Sequence, residues 1–242
     1  MLFISFFISM GLLTEIAVRA INIISPKPCA MCGCRLAIGE DVICSSCDID
    51  LPRTHYSQKP YDNEMAKIFW GRIPIEKAAA LFFYRAHSLS SRIIYSMKYL
   101  NHPEVGELMG RMAAEEFARH GFFNSVDAIV PIPLAKKRLR ERGYNQSLEI
   151  ARGINEITGL PIINNAVNRK NFKGSQTQKD RWQRNENVED EFILKNAFVL
   201  RGKHILIVDD VVTTGATVTA CATAMRKCGE IKFSVMSLGL TK

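Results

Sequence analysis

The chain has 242 residues, 47% of them apolar, enough for one domain of ordinary size with a packed core and a small appendage, so a disordered chain is excluded. Its formal charge of +8 is modest for this length, but part of it is local: Lys136, Lys137, Arg138, Arg140 and Arg142 are opposed only by Glu141. Such a block attracts phosphates, in a small molecule or in nucleic acid, and it also reads as a solvated helix face.

The N-terminal run "LFISFFISMGLL" has the look of a membrane or signal segment. It ends at Glu15, short of the ~20 residues that a spanning helix needs, and lacks a basic leader and a small-residue cleavage site. From Leu13, residues Ile16, Ala17, Ala20, Ile21 and Ile24 follow helical spacing, so an amphipathic helix, no membrane insertion and a cytoplasmic protein are expected.

The seven cysteines are unevenly spread: Cys29, Cys32, Cys34, Cys44 and Cys47 near the start, Cys221 and Cys228 near the end. Cys29-x-x-Cys32 and Cys44-x-x-Cys47, separated by eleven residues, are two knuckles able to close a tetrahedral four-sulfur zinc site, with Cys34 a spare thiol that could compete. A disulfide framework is the rival reading, disfavoured by the odd number of cysteines in the cluster. Cys221 and Cys228 fall in a helical pattern and suit small core positions.

Past the second knuckle, "LPRTHYSQKPYDNEMAKIFWGRIP" mixes prolines with scattered aromatics and reads as a linker packed onto the domain after it. The expected division is residues 1–60 for the N-terminal helix and metal module and residues 61–242 for the main domain. The main domain alternates apolar strands with amphipathic helices. "AALFFY" (79–84) is followed by helices from Leu89 to Leu100 and from Glu104 to His120, then by "VDAIVPI" (126–132). A helix from Gln146 to Thr158, striped by Leu148, Ala151, Ile154 and Ile157, precedes "LPII" and a long polar stretch; "HILIVDD" (204–210), a helix from Thr217 to Lys227 and "IKFSVMSLG" (231–239) complete the run. The alternation implies an α/β fold, a mostly parallel sheet with helices on both faces.

Open parallel sheets bind ligands beyond the carboxyl ends of their strands, where Asp209 and Asp210 stand. The turn after them, with Thr213, Thr214, Gly215 and Thr217, enters a helix whose unpaired N–H groups and hydroxyls can cradle a phosphate. The carboxylates suit a pair of ribose hydroxyls and can lie near Mg²⁺, so a sugar phosphate accounts for the whole stretch.

"ILIVDDVVTTGAT" (205–217) resembles the phosphoribosyl pyrophosphate (PRPP) motif of type I phosphoribosyltransferases, and lacks the G-K-[ST] of a Walker A loop. "VPIPLAKKRLRERGYNQS" (130–147) and "SQTQKDRWQRNENVEDEF" (175–192), with the double-CxxC start, resemble the ComF (competence protein F) family. The resemblance implies a type I phosphoribosyltransferase fold with an N-terminal zinc module, and displacement at the anomeric carbon of Mg-PRPP. Asp209, Asp210 and Arg142 would carry the chemistry, and Val211, Val212, Thr213, Thr214, Gly215, Ala216 and Thr217 would hold the 5′-phosphate. The pyrophosphate side would fall to Arg138, Arg142, Gly143, Tyr144, Asn145 and Gln146. The mobile hood would supply Gln176, Arg184 and Asn187, with Lys179 where many relatives have leucine; Lys98 and Tyr99 of "MKYL" match another recurrent position. Expected ligands are PRPP or ribose-5-phosphate. Because the family is linked to DNA uptake, the alternative is a catalytically weak PRPP-fold protein whose partner is single-stranded DNA or a DNA-processing protein.

Overall fold

The computed structural model describes residues 27–170 and 191–242; the helix expected from Leu13 and the hood positions Gln176, Lys179, Arg184 and Asn187 lie outside the described residues. The chain divides into two compact units, Met1–Asp50 and Leu51–Lys242.

In the first unit, local hydrogen bonds shape the two knuckles. The Cys29 amide donates to the Cys34 carbonyl (2.7 Å) and the Gly33 amide to the Cys29 carbonyl (2.9 Å), a tight turn that Gly33 completes at a φ of 79°. The Ala30 amide donates to the Val42 carbonyl (2.9 Å), which brings the second knuckle alongside the first, and Cys44 then opens helix α1 (Ser45–Ile49).

The second unit begins with a segment that covers a sheet edge. The Thr54 amide donates to the Leu81 carbonyl (3.1 Å) and the Phe83 amide to the Pro52 carbonyl (2.8 Å). Helix α2 (Glu64–Phe69) comes next, its first turn capped by the Asn63 side chain, which accepts from the Ala66 amide at 2.9 Å. Strand β1 (Ile75–Tyr84) leads through α3 (Ser91–Tyr99) and α4 (Pro103–Ala118) to β2 (Ala128–Pro131). The basic block is α5 (Lys136–Arg142), a helix with no buried residue, and α6 (Gln146–Thr158) comes directly after it. Strands β3 (Val167–Arg169) and β4 (Phe192–Leu194) form an antiparallel ribbon that was not expected from the sequence. The chain continues through β5 (His204–Val212), α7 (Ala216–Arg226) and β6 (Lys232–Thr241).

The main sheet has the order β1-β6-β5-β2, and each neighbouring pair is parallel. Strands buried on both faces read as continuous apolar runs, which is why "HILIV" and "AALFF" were legible. One face packs Ala78, Ala80, Ile205, Ile207, Phe233 and Val235 against Met65 and Phe69 of α2 and Val218, Cys221 and Met225 of α7. Residues alternate along a strand, so Ala79, Leu206 and Met236 face the other way, towards the layer of α4 and α6. Cys221 and Cys228 are buried, in the core roles expected of them.

The α6 stripe differs from expectation. Its buried residues include Ile150, Ala151, Gly153 and Ile154, while Ile157 is exposed. Gly153 and Gly110 explain the rotation: a Cβ on Gly153 would lie 1.9 Å from the Glu107 carbonyl oxygen, and one on Gly110 2.3 Å from the Ile150 oxygen. The two helix backbones touch, so the glycine face of α6 points inward together with Ala151 and Ile154 of the expected stripe, while Leu148 is half-buried and Ile157 exposed.

Candidate functional site

Strand β5 runs two residues past the acid pair, placing Asp209 and Asp210 near its carboxyl end with α7 starting a short turn later. Asp210 is buried and pairs with Lys98 at the end of α3, Nζ to Oδ2 2.8 Å. Asp209 accepts two hydrogen bonds on Oδ1, from the Asp210 amide at 2.9 Å and from the Ser147 hydroxyl at 3.2 Å. Burial, and then the neighbouring negative charge of Asp210, push the Asp209 carboxyl up to about 7.

These groups line a cavity of about 180 Å³ together with Arg138, Arg142, Gln146, Arg169, Val211 and Thr217. Four cations thus face two carboxylates, an arrangement suited to a polyanion that also offers hydroxyls. The strand β2 end contributes Ile132, Pro133 and Leu134 as an apolar wall. A wider cleft of about 810 Å³ shares Lys98, Arg138 and Arg142 with the first and adds Tyr99, Asn101, Arg140, Glu141 and Gly143.

The segment between α5 and α6 is held by its own polar side chains. Asn145 donates from Nδ2 to the Ile132 carbonyl (3.0 Å) and caps α6 by accepting from the Ser147 amide (3.2 Å). The Tyr144 hydroxyl donates to the Met97 carbonyl, and Gln146 Nε2 donates to the same oxygen at 3.2 Å. Gln146 Oε1 in turn accepts from Arg142 Nη1 at 2.8 Å, and the guanidinium lies 5.8 Å from the Tyr99 ring centre. Of the residues read as the pyrophosphate side, Arg138, Arg142 and Gln146 reach the small cavity and Gly143 the wider cleft. Tyr144 and Asn145 line neither and instead fix the corner that aims the others.

The turn before α7 divides in a similar way. Val211 and Thr217 line the cavity, Val212 is in the core, and Thr213, Thr214 and Ala216 are exposed on the turn. Gly215 occupies the N-cap with a φ of 72° and offers no side-chain cap, so the first-turn N–H groups of α7 keep no intrahelical partner. A Cβ there would also lie 2.5 Å from Ile68 Cγ2 and 2.7 Å from Phe69 Cε1, and Arg72 Nη1 donates to the Thr214 carbonyl at 3.2 Å. Glycine is therefore required by packing against α2 as well as by the positive φ.

The model of the phosphoribosyl transferase domain family matches residues 97–236, more than half of the chain and the whole of this site from Lys98 to Thr217. Competence protein F of Haemophilus influenzae is 31% identical over 156 residues, covering 61% of this chain and 66% of that protein. The DNA utilization protein YhgH of Escherichia coli is 28% identical over 228 residues, covering 88% of this chain and 96% of that one. The chain belongs to the ComF family and carries its phosphoribosyl transferase domain. Among solved structures, the glutamine PRPP amidotransferase of B. subtilis is 20% identical with a TM-score of 0.38, over 57% of this chain and 27% of that one.

In this ComF-family chain, Ser147 and Arg169 reach the cavity without having been singled out from sequence. Ser147 comes just after the Asn145 cap, and a cap followed by a hydroxyl at the end of a recognised motif was the available signal. Arg169 ends β3, where its Nε donates to Glu191 Oε1 at 2.8 Å and its guanidinium lies over the Phe192 ring. No sequence pattern pairs those two positions across the intervening polar stretch.

Apart from that site, the sulfurs of Cys29, Cys32, Cys44 and Cys47 all lie within 4.8 Å of one another. A tetrahedral ion at about 2.3 Å from each sulfur needs separations of roughly 3.8 Å, so the group fits one metal. Cys34 is outside the group, exposed, with its sulfur 3.1 Å from that of Cys32. The Cys34 amide and thiol draw the Cys32 thiol down to about 6, which favours the thiolate a metal requires. Among the described residues this is the one cluster of three or more potential ligands. No helix among the described residues is long and apolar enough to cross a membrane.

Proposed function

We propose that this chain binds Mg-PRPP and transfers its phosphoribosyl group to a nucleophilic acceptor. The observation that carries the reading is the placement, in one cavity, of Asp209 and Asp210 beside Lys98, Arg138 and Arg142, next to the glycine-capped start of α7. The carboxylates take the two ribose hydroxyls, the N–H groups at the α7 start take the 5′-phosphate, and the cations face the diphosphate. The acceptor's lone pair bonds to the anomeric carbon as the carbon–oxygen bond to diphosphate breaks, its electron pair leaving on the diphosphate and any acceptor proton passing to water. Magnesium would supply charge neutralisation of the diphosphate; with Asp210 paired to Lys98, Asp209 is the carboxylate of the pair left to lie near such an ion. We assign a structural zinc to Cys29, Cys32, Cys44 and Cys47, in a cytoplasmic chain whose thiols stay reduced.

The test is calorimetry with Mg-PRPP and with ribose-5-phosphate on an Arg138→Ala, Arg142→Ala double variant. PRPP affinity should fall by roughly a hundredfold, about 2.7 kcal/mol for two charge-assisted contacts, while ribose-5-phosphate should change little. Equal losses for both ligands would remove the diphosphate assignment. The exposed Lys136, Lys137, Arg138 and Arg140 of α5 support a second reading, in which single-stranded DNA or a DNA-processing protein binds there and transfer is weak. In that case the double variant loses strongly salt-dependent DNA binding and keeps its PRPP affinity.

A further inference from the structure

Arg72 stands outside residues 97–236, which match the phosphoribosyl transferase family model, yet it touches the turn that opens α7. It sits on a rigid corner. Asn63 Nδ2 donates to the Ala78 carbonyl at 2.8 Å, tying the start of α2 to β1, and Phe69 at the other end of the helix is fully buried. Gly71 turns the chain at a φ of 73°, and the Arg72 and Ile73 amides both donate to the Phe69 carbonyl, at 3.0 Å and 3.3 Å. From this corner the exposed Arg72 side chain reaches the turn, where its Nη1 donates to the Thr214 carbonyl at 3.2 Å. Among the described residues no carboxylate pairs with it. The Thr214–Gly215 peptide is trans and planar, so the Thr214 carbonyl and the Gly215 N–H point to opposite sides of it. With the carbonyl oxygen drawn to the guanidinium, the N–H lies on the side away from Arg72. A carbonyl that accepts from a cation also makes the N–H of its own peptide a stronger donor.

We propose that Arg72 is a positioning residue for the 5′-phosphate: it fixes the Thr214–Gly215 peptide so that the N–H, and not the carbonyl oxygen, meets the anion. The inference rests on the phosphoribosyl-transfer reading, in which this turn and the start of α7 hold that phosphate. Without the guanidinium the peptide is free to rotate and to present a partial negative charge to the ligand. The loss falls on affinity and not on folding, because a single exposed hydrogen bond contributes little to stability. Arg138 and Arg142 have a different task, since they face the diphosphate. Arg72 therefore acts on every ligand that carries the 5′-phosphate and on none that lacks it.

Calorimetry on the full chain tests this by comparing the parent with Arg72→Met and Arg72→Lys, using ribose-5-phosphate, Mg-PRPP and Mg-diphosphate as ligands. Methionine keeps much of the stem without donor or charge, and lysine restores a charged donor. Arg72→Met should weaken ribose-5-phosphate and Mg-PRPP by the same factor, roughly tenfold, and leave Mg-diphosphate within about twofold. Arg72→Lys should recover most of that loss, and the ligand-free thermal midpoints of the three proteins should coincide. The proposal is overturned if Arg72→Met binds ribose-5-phosphate as the parent does, if Mg-diphosphate weakens equally, if lysine restores nothing, or if the affinity loss comes with a lowered ligand-free midpoint. Should ribose-5-phosphate respond as expected while Mg-PRPP fails to bind the parent, the transfer reading fails and the positioning role stands. Should Mg-PRPP bind the parent and both variants alike, the transfer reading stands and the positioning role falls. If neither sugar phosphate binds the parent, both are overturned.

Discussion

Asp209 and Asp210 are neighbours in the chain with different surroundings. Lys98 neutralises Asp210, whereas Asp209 has a hydroxyl and an amide for company and a negative charge beside it. An isolated aspartate ionises near 4; this one is raised to about 7, so between those values the folded chain holds a proton that the unfolded chain has released. Stability therefore falls as pH rises through that window and is unaffected below it, the reverse of the salt-bridged case. Asp209→Asn should remove this slope, so the variant's thermal midpoint should gain on the parent's between pH 4 and pH 8 in an unfolding series. Over the same range the parent's affinity for Mg-PRPP should climb through about pH 7, as the carboxylate becomes the better acceptor for a hydroxyl, and the variant should lack that climb. Parallel curves for the two proteins would show that another group titrates. The carboxylates themselves were legible because they break an apolar run. Their distinction was not, since nothing in "SMKYL" announces that Lys98 reaches across the fold to one of them.

Helices α4 and α6 meet through glycines, which makes their contact sensitive to one methyl group. Alanine gains about 1 kcal/mol over glycine in helix propensity, while overpacking costs on the order of 1–3 kcal/mol. At Gly153 the obstacle is backbone, the Glu107 oxygen at 1.9 Å and the Arg111 nitrogen at 2.6 Å, and neither can swing aside as a side chain would. The steric cost wins. Gly153→Ala should lower stability by about 1 kcal/mol net, read as a lower urea midpoint at an unchanged slope, and a raised midpoint would show that the helices can separate freely. Because Gln146 and Ser147 enter the site from the first turn of α6, PRPP affinity should weaken alongside. The helices were visible from their apolar spacing to within a residue or two, with Gly159 ending α6 as expected. Of the α6 stripe, Ala151 and Ile154 were read as buried and are; the rest of the buried face was missed because glycine carries no hydropathy signal, though it marks the closest approach. Strands β3 and β4 escaped notice because three-residue strands are too short to show alternation.

At the scale of the whole molecule, the sequence points to two kinds of architecture in one chain: a cysteine-clustered start and a sheet-centred remainder. Among the described residues of the first unit, Met31, Val42 and Ile43 are buried beside the cysteines, so under the zinc proposal its local fold should depend on the metal. Protein purified without added zinc should carry about one zinc per chain, by metal analysis. Chelation should open sites within residues 29–50 to protease while the second unit stays intact, as mapped by mass spectrometry of the fragments. Simultaneous loss of both units, or no change, would show that the cysteines do not hold the first unit together. The segment that reads as a linker includes residues 52–54, whose backbone bonds run along the edge of β1. A linker and an irregular edge cover have the same composition, so only the hydrogen bonds tell them apart.

Strand order carries a consequence for synthesis. β6 lies between β1 and β5, so β1 and its apolar run Ala79–Phe83 gain their sheet neighbour only once Lys232–Thr241 has been made. β2 and β5 can pair earlier, but the half of the sheet that includes β1 cannot form while the ribosome is still translating α7. For most of its birth the nascent polypeptide exposes a sticky strand, the condition under which chaperones engage a client and a stalled chain aggregates.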